Sequence, residues 1–192
     1  MLSTMMMMNN NVLNFTSSIT SSNGSAYFLN ASSTHLSIAN NSTFTLGTNN
    51  HTIEFWCYQT ARGTYDSSWV YDHSAAGPVT NAYYFDMGAS YFNVNLGTGS
   101  SLLQTTNLSS NLPSLNAWHH YAIVRNANTI TLYVDGTSVG TITTSQSIPA
   151  QNGAMWMGGT GTSGQNITGY VTDLRVVNGT AVYTSNFSPP LA

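Results

Sequence analysis

Lysine does not occur in this chain of 192 residues, and its only cationic side chains besides histidine are Arg62, Arg125 and Arg175. Charged residues make up 5% of the sequence, against roughly 25% in an average soluble domain. So few cations exclude the clustered Lys and Arg that a nucleic-acid partner requires. No basic amphipathic segment is present to lie on a membrane surface. No apolar run is long enough for a transmembrane helix. A single cysteine, Cys57, excludes an internal disulfide. It stands in the run Ile53-Glu54-Phe55-Trp56-Cys57-Tyr58 and reads as a packing residue. Paired acids are missing too. Glu54 is the only glutamate, and Asp66, Asp72, Asp86, Asp135 and Asp173 are scattered. Glycoside hydrolysis needs two carboxylates about 5 Å apart for retention or about 6.5–9.5 Å for inversion. An enzyme of that kind is therefore not expected. Nor is there a G-x-S-x-G elbow to raise a serine nucleophile, or any helical period in the hydrophobic pattern.

What remains is Ser, Thr, Asn and Gln at the surface, with a formal net charge of -3. Such a surface is close to neutral and rich in hydrogen-bonding groups, suited to packing against neighbouring subunits or to contact with sugars. Residues 1–23 form a low-complexity lead-in of Met, Asn, Ser and Thr. It has no basic n-region and does not read as a secretory signal. It is expected to be a flexible arm that orders on a neighbour. The sequons at Asn30, Asn107 and Asn166 are accordingly expected to carry no glycan.

From Gly24 to the end, one domain of successive strands is expected. Ala26–Leu29, His35–Ile38, Thr52–Gln59, Tyr83–Asp86 and Tyr91–Leu96 carry β-rich runs bounded by polar turns. Thr52–Gln59 is apolar on both faces, as a strand buried between layers would be. Trp118–Arg125 and Thr129–Val134 form a hairpin arm, and Asp135-Gly136 is the dipeptide of a type I′ turn into Val139–Ile142. Ala154–Gly158 and Gly169–Val177 complete the set. Residues 60–82 read as a long loop with a short strand at Trp69-Val70-Tyr71, and loops of that length are often functional.

This loop and its edge offer Trp69, Tyr71, Asp72 and Tyr83 as a glycan-binding group. Aromatic faces stack on a pyranose, and a carboxylate accepts hydrogen bonds from its hydroxyls. Asp66 and Asp72 are the loop's only carboxylates, and calcium wants six to eight oxygens. Calcium is thus the one metal the loop admits, but neither a metal nor another cofactor is expected. His119 and His120 point to opposite faces of a strand and cannot jointly chelate one ion.

Several segments in order resemble the concanavalin A-like superfamily, in its laminin-G-like branch. They are Gly24-Ser25-Ala26-Tyr27-Phe28, Leu36-Ser37-Ile38 and Thr52-Ile53-Glu54-Phe55-Trp56, then Trp118-His119-His120 with Leu132-Tyr133-Val134-Asp135-Gly136, and Gly169-Tyr170-Val171-Thr172-Asp173-Leu174-Arg175. The ending Asn178–Pro190 is similar to a version found in structural proteins of bacteriophages and other viruses. The resemblance implies an all-β fold, a jelly-roll sandwich of two antiparallel sheets. It also implies a non-enzymatic virion structural protein: a decoration, fibre or minor capsid component on the particle surface. Such a component would be a homo-oligomer, partnered by other virion proteins and contacting host-surface glycans. A free carbohydrate-binding lectin or adhesin is the competing expectation. Glycosidases of this superfamily place two Glu on one strand with an Asp between, a motif this chain lacks.

Overall fold

A computed structural model describes residues 24–29, 34–63, 67–70, 83–89, 92–97, 102–104, 112–150, 153–159 and 166–191. The expected arm at 1–23 lies outside the described residues. The described strands are β1 (Ala26–Phe28), β2 (Leu36–Ile38), β3 (His51–Ala61), β4 (Ser67–Val70), β5 (Tyr83–Met87) and β6 (Phe92–Gly97). They continue with β7 (Leu102–Gln104), β8 (Trp118–Asn126), β9 (Thr129–Val134), β10 (Thr137–Thr143), β11 (Met155–Met157) and β12 (Thr168–Asn178). They form two antiparallel six-stranded sheets: a front sheet ordered β1-β12-β3-β8-β9-β10 and a back sheet ordered β2-β11-β4-β5-β6-β7. Every run expected from the sequence is a strand, most of them shifted by a residue or two at an end. β7 was not expected, because Leu102-Leu103-Gln104 is too short to show a period.

Alternation along the strands builds the core. Ile53, Phe55 and Cys57 of β3, Tyr121 and Ile123 of β8, Phe85 of β5 and Phe92 of β6 all point between the sheets. At the centre Phe55 and Tyr121 from the front sheet meet Phe85 and Phe92 from the back, with centroids 5.2–6.1 Å apart. Each such ring contributes roughly 1.5–3 kcal/mol by leaving water. Burial pushes the Cys57 thiol up to about 12. The thiol stays protonated at neutral pH and packs as a small hydrophobe.

The Asp135-Gly136 turn is as expected, with φ of 48° and 76°, both in the left-handed region that a type I′ turn uses. The other face of β3 departs from expectation. It is not sandwiched between layers. Instead the closing segment, residues 180–191, crosses the outer face of the front sheet over β3, β8 and β9. Thr52 Oγ1 donates to the Thr180 carbonyl at 3.1 Å and accepts the Val182 N–H at 2.9 Å. Ala181, Tyr183 and Phe187 pack on Ala122, Val124 and Tyr133. The Phe187 N–H bonds the Gly136 carbonyl at 2.9 Å. A Cβ at Gly136 would stand 1.8 Å from the Phe187 carbonyl oxygen. Gly136→Ala is therefore expected to lift this segment off the sheet, at a cost of about 2 kcal/mol or more. Thermal unfolding and faster hydrogen exchange at the Phe187 amide would register it.

Candidate functional site

The outer face of the front sheet is laid out in rows fixed by strand register. The first row is Tyr27, Tyr170, Tyr58 and Trp118, each directly paired with the next across β1, β12, β3 and β8. Centroid spacings are 4.8, 6.1 and 5.6 Å, and neighbouring rings are inclined by 39°, 71° and 60°. Tyr27 is 43% exposed and Trp118 40%, and both rank among the large hydrophobic side chains left open to solvent. The two central tyrosines are half-buried. The second row is Thr172, Trp56 and His120, and the third is Arg175, Glu54, Ala122 and Tyr133. The closing segment lies over the third row, while the aromatic row is open.

Between them is a hollow of about 210 Å³ lined by Glu54, Trp56, His120, Asp173, Arg175 and the end of the closing segment. At its floor Glu54 is buried. It takes hydrogen bonds from Arg175 Nε and, at 2.7 Å, from the Tyr183 hydroxyl. His120 Nε2 stands 3.3 Å from Glu54 Oε2 without hydrogen-bond alignment. Burial pushes the Glu54 carboxyl up, but His120, Tyr183 and Arg175 outweigh it and hold the group below the usual carboxylate value. Burial and Glu54 in turn push the Tyr183 phenol up to about 12, so it remains a donor. Among the described residues, both ring nitrogens of His120, and Trp56 Nε1, are buried without a hydrogen-bond partner. A bulge between Thr172 and Arg175 carries Asp173, at φ 54°, out to solvent. Arg175 therefore pairs with Glu54, while Asp173 faces water.

His119 and His120 do point opposite ways, as expected. His119 Nδ1 meets Asp135 Oδ2 at 2.6 Å and its Nε2 meets Ser114 Oγ at 3.0 Å. The His120 backbone N–H donates to Asp135 Oδ1 at 2.9 Å. Serine, histidine and aspartate are thus joined in one chain. Ser114 lies exposed before a turn rather than on a strained elbow, and Asp135 is 46% exposed. Geometrically the chain fastens the residues before β8 to the β9–β10 turn.

Of the loop group expected from the sequence, only the Tyr83 side chain lies among the described residues. Tyr83 is wholly buried, and its hydroxyl donates to His51 Nε2 at 3.0 Å inside the sandwich. It is therefore unavailable to a sugar, and burial pushes its phenol far up. Trp69 is a β4 residue whose backbone pairs with Phe85 and Met157. Its side chain, and Tyr71, Asp72 and Asp66, lie outside the described residues. The residues that sequence reasoning missed are Tyr27, Tyr58, Trp118 and Tyr170. Period-two alternation away from Ile53, Phe55 and Cys57 already turns Tyr58 outward. Only strand order brings the four together.

A laminin G family model, described as the concanavalin A-like lectin/glucanases superfamily, matches residues 30–182. No curated protein matches the sequence. Among solved structures, domain 4 of the extracellular arabinanase AbnA from Geobacillus stearothermophilus, in complex with arabinotriose, is similar. It has 10% identity and a TM-score of 0.61, covering 88% of this chain and 77% of that one. Mouse laminin α1 domains LG4-5 align at 16% identity and TM-score 0.60, over 86% of this chain and 41% of that one. The CBM40 of the Ruminococcus gnavus IT-sialidase, bound to α2,3-sialyllactose, aligns at 14% identity and TM-score 0.56, over 74% and 82%. At these identities the likeness is one of fold.

Proposed function

Because this chain belongs to the concanavalin A-like lectin/glucanases superfamily, we propose that it is a non-enzymatic glycan-binding module, carried as a structural component on the surface of a virus particle. The observation that carries the glycan reading is the in-register row Tyr27-Tyr170-Tyr58-Trp118, open on the outer face. Each ring has an apolar face for a sugar and a polar tip for its hydroxyls. Two of the similar structures hold carbohydrate, arabinotriose in one and α2,3-sialyllactose in the other. A binding role without catalysis is supported by Glu54. A general acid needs a raised pKa, whereas this carboxylate is held ionised against Arg175.

The virion reading is supported by the near-absence of charge and by the closing segment, whose sequence is similar to that of viral structural proteins. The sandwich would present the aromatic row outward, and residues 1–23 would attach it to other virion proteins or to copies of itself.

On a glycan array the wild-type domain is expected to retain a defined set of carbohydrates. Tyr58→Ala and Trp118→Ala are each expected to weaken retention about tenfold or more, with Trp69→Ala and Tyr71→Ala as comparators. Undiminished binding by both row variants would move the site off this face. For the virion reading, the chain should be found by mass spectrometry in purified particles.

A further inference from the structure

We infer that the ligand of this face is a single unbranched chain of neutral sugars, lying across the strands with one residue over each ring of the aromatic row. The inference rests on the glycan reading above and adds to it the ligand's class, direction and length.

The row decides the direction. The four rings sit on β1, β12, β3 and β8, so the line joining them runs perpendicular to the strands. Strands are about 4.8 Å apart, and the centroids follow that spacing at 4.8 to 6.1 Å. A six-membered sugar ring with its bridging oxygen advances a chain by a step of similar length. Four rings therefore match four successive sugars. A ligand running along a strand would meet only one of them.

The ring tilts decide between a single chain and a crystalline surface. A flat polysaccharide sheet needs coplanar rings to stack on. Here neighbours are inclined by 39°, 71° and 60°, so no plane touches all four faces. These tilts exceed the roughly 20–25° per strand of sheet twist, so side-chain torsions set them, and they suit a chain whose successive sugars turn rather than a flat layer.

Charge decides the class. Arg175, the cation on this face, is held by Glu54, and the exposed charge beside the row is the carboxylate of Asp173. With a formal net charge of -3, the domain has no field to draw in uronates or sialic acids. The same absence disfavours single-stranded nucleic acid, which also stacks on aromatic rows but needs a cationic groove for its phosphates. The hollow beside the row centre adds an acceptor for hydroxyls at Asp173. The phenol and indole tips along the row supply further polar contacts.

The test is isothermal titration calorimetry of the full chain with unbranched glucose-, xylose-, mannose- and arabinose-based oligosaccharides of one to six residues. A uronate series and insoluble crystalline cellulose and chitin run beside them. For at least one neutral series the affinity should rise with each residue up to four, by about tenfold between two and four, and then change less than about twofold. Tyr27→Ala, at the exposed end of the row, should move the plateau from four residues to three while leaving thermal unfolding unchanged. Binding that is as tight for one residue as for four would overturn this inference and leave the glycan reading standing, as would a preference for uronates or for the crystalline solids alone. Binding to none of the carbohydrates would overturn both. So would light scattering that shows a dimer dissociated by Tyr58→Ala, because the row would then be covered by a second copy.

Discussion

Between pH 7 and pH 4 the folded domain is expected to lose about 3 kcal/mol of stability through His51 alone. His51 is fully buried where β3 begins. Its Nδ1–H donates to the Asn49 carbonyl at 3.1 Å, and its Nε2 accepts from the Tyr83 hydroxyl at 3.0 Å. Both bonds use the neutral ring. Burial lowers the imidazole from 6.5 to about 4, with nearby Arg125 acting in the same direction and the Asn49 bond opposing. Below pH 6.5 the unfolded chain therefore takes up a proton that the folded one refuses until about pH 4. Stability rises with pH across that window and falls as the pH is lowered through it. At about 1.4 kcal/mol per pH unit the gap from 6.5 to about 4 amounts to about 3.5 kcal/mol when complete, and about 3 of it is lost by pH 4. Glu54 acts lower down. Its depressed carboxyl contributes stability above the ordinary carboxylate value, and that contribution fades as pH falls through its own folded value. The check is urea unfolding at pH 7, 5.5 and 4.5 on the native chain and on the double variant His51→Leu/Tyr83→Phe. Removing both partners leaves no orphaned hydroxyl. The slope should flatten in the double variant, and an unchanged slope would assign the effect to other groups.

Arg125→Leu is expected to cost about 3 kcal/mol or more. This guanidinium is wholly buried, and among the described residues its hydrogen bonds go to carbonyls. Nε donates to Ala127 at 3.0 Å, Nη1 to Gln146 at 2.8 Å and Gly47 at 3.4 Å, and Nη2 to Thr144 at 3.3 Å. One side chain thus joins the β8–β9 turn, the turn before β3 and the segment after β10. Gly47 would keep the Ile148 N–H on its carbonyl, but the other three acceptors would lose this donor. Leucine fills the volume and supplies none of the bonds. Arg125→Lys keeps the charge but not the fork, so it reaches fewer carbonyls and should fall between the two in urea unfolding. A loss below about 1 kcal/mol for the leucine variant would mean the three segments hold without the hub.

Arg125 also shows how far a sequence can be read. The sequence shows it only as one of three arginines, and alternation from Tyr121 and Ile123 places it on the core side. Its partners are carbonyls, which every residue has, so no side-chain pattern could announce them. Glu54 was legible as a lone acid unsuited to glycosidase chemistry. That it is held by Arg175 and Tyr183, residues 121 and 129 positions away, was not. Tyr83 was misplaced for a related reason. The run Tyr83-Tyr84-Phe85-Asp86 has aromatics on both faces, so alternation alone does not say which tyrosine turns in. The structure chooses Tyr83, which meets His51 of β3 inside the sandwich.

The sequence by itself determined the class of the fold, the position of most strands and the Asp135-Gly136 turn. These follow from local rules: period-two burial, β-branched and aromatic runs, and the positive φ that Asp and Gly accept. It also determined what the surface lacks, because an absent side chain is absent in any conformation. Tertiary structure alone decided which aromatics share a face, that the closing segment packs on the outer face of the front sheet, and which charges neutralise one another. Those depend on strand order, and β12 lies between β1 and β3 although most of the chain separates them. Tyr27 and Tyr170 are brought together by hydrogen bonds between backbones, and the pattern of side chains along either strand carries no record of its partner.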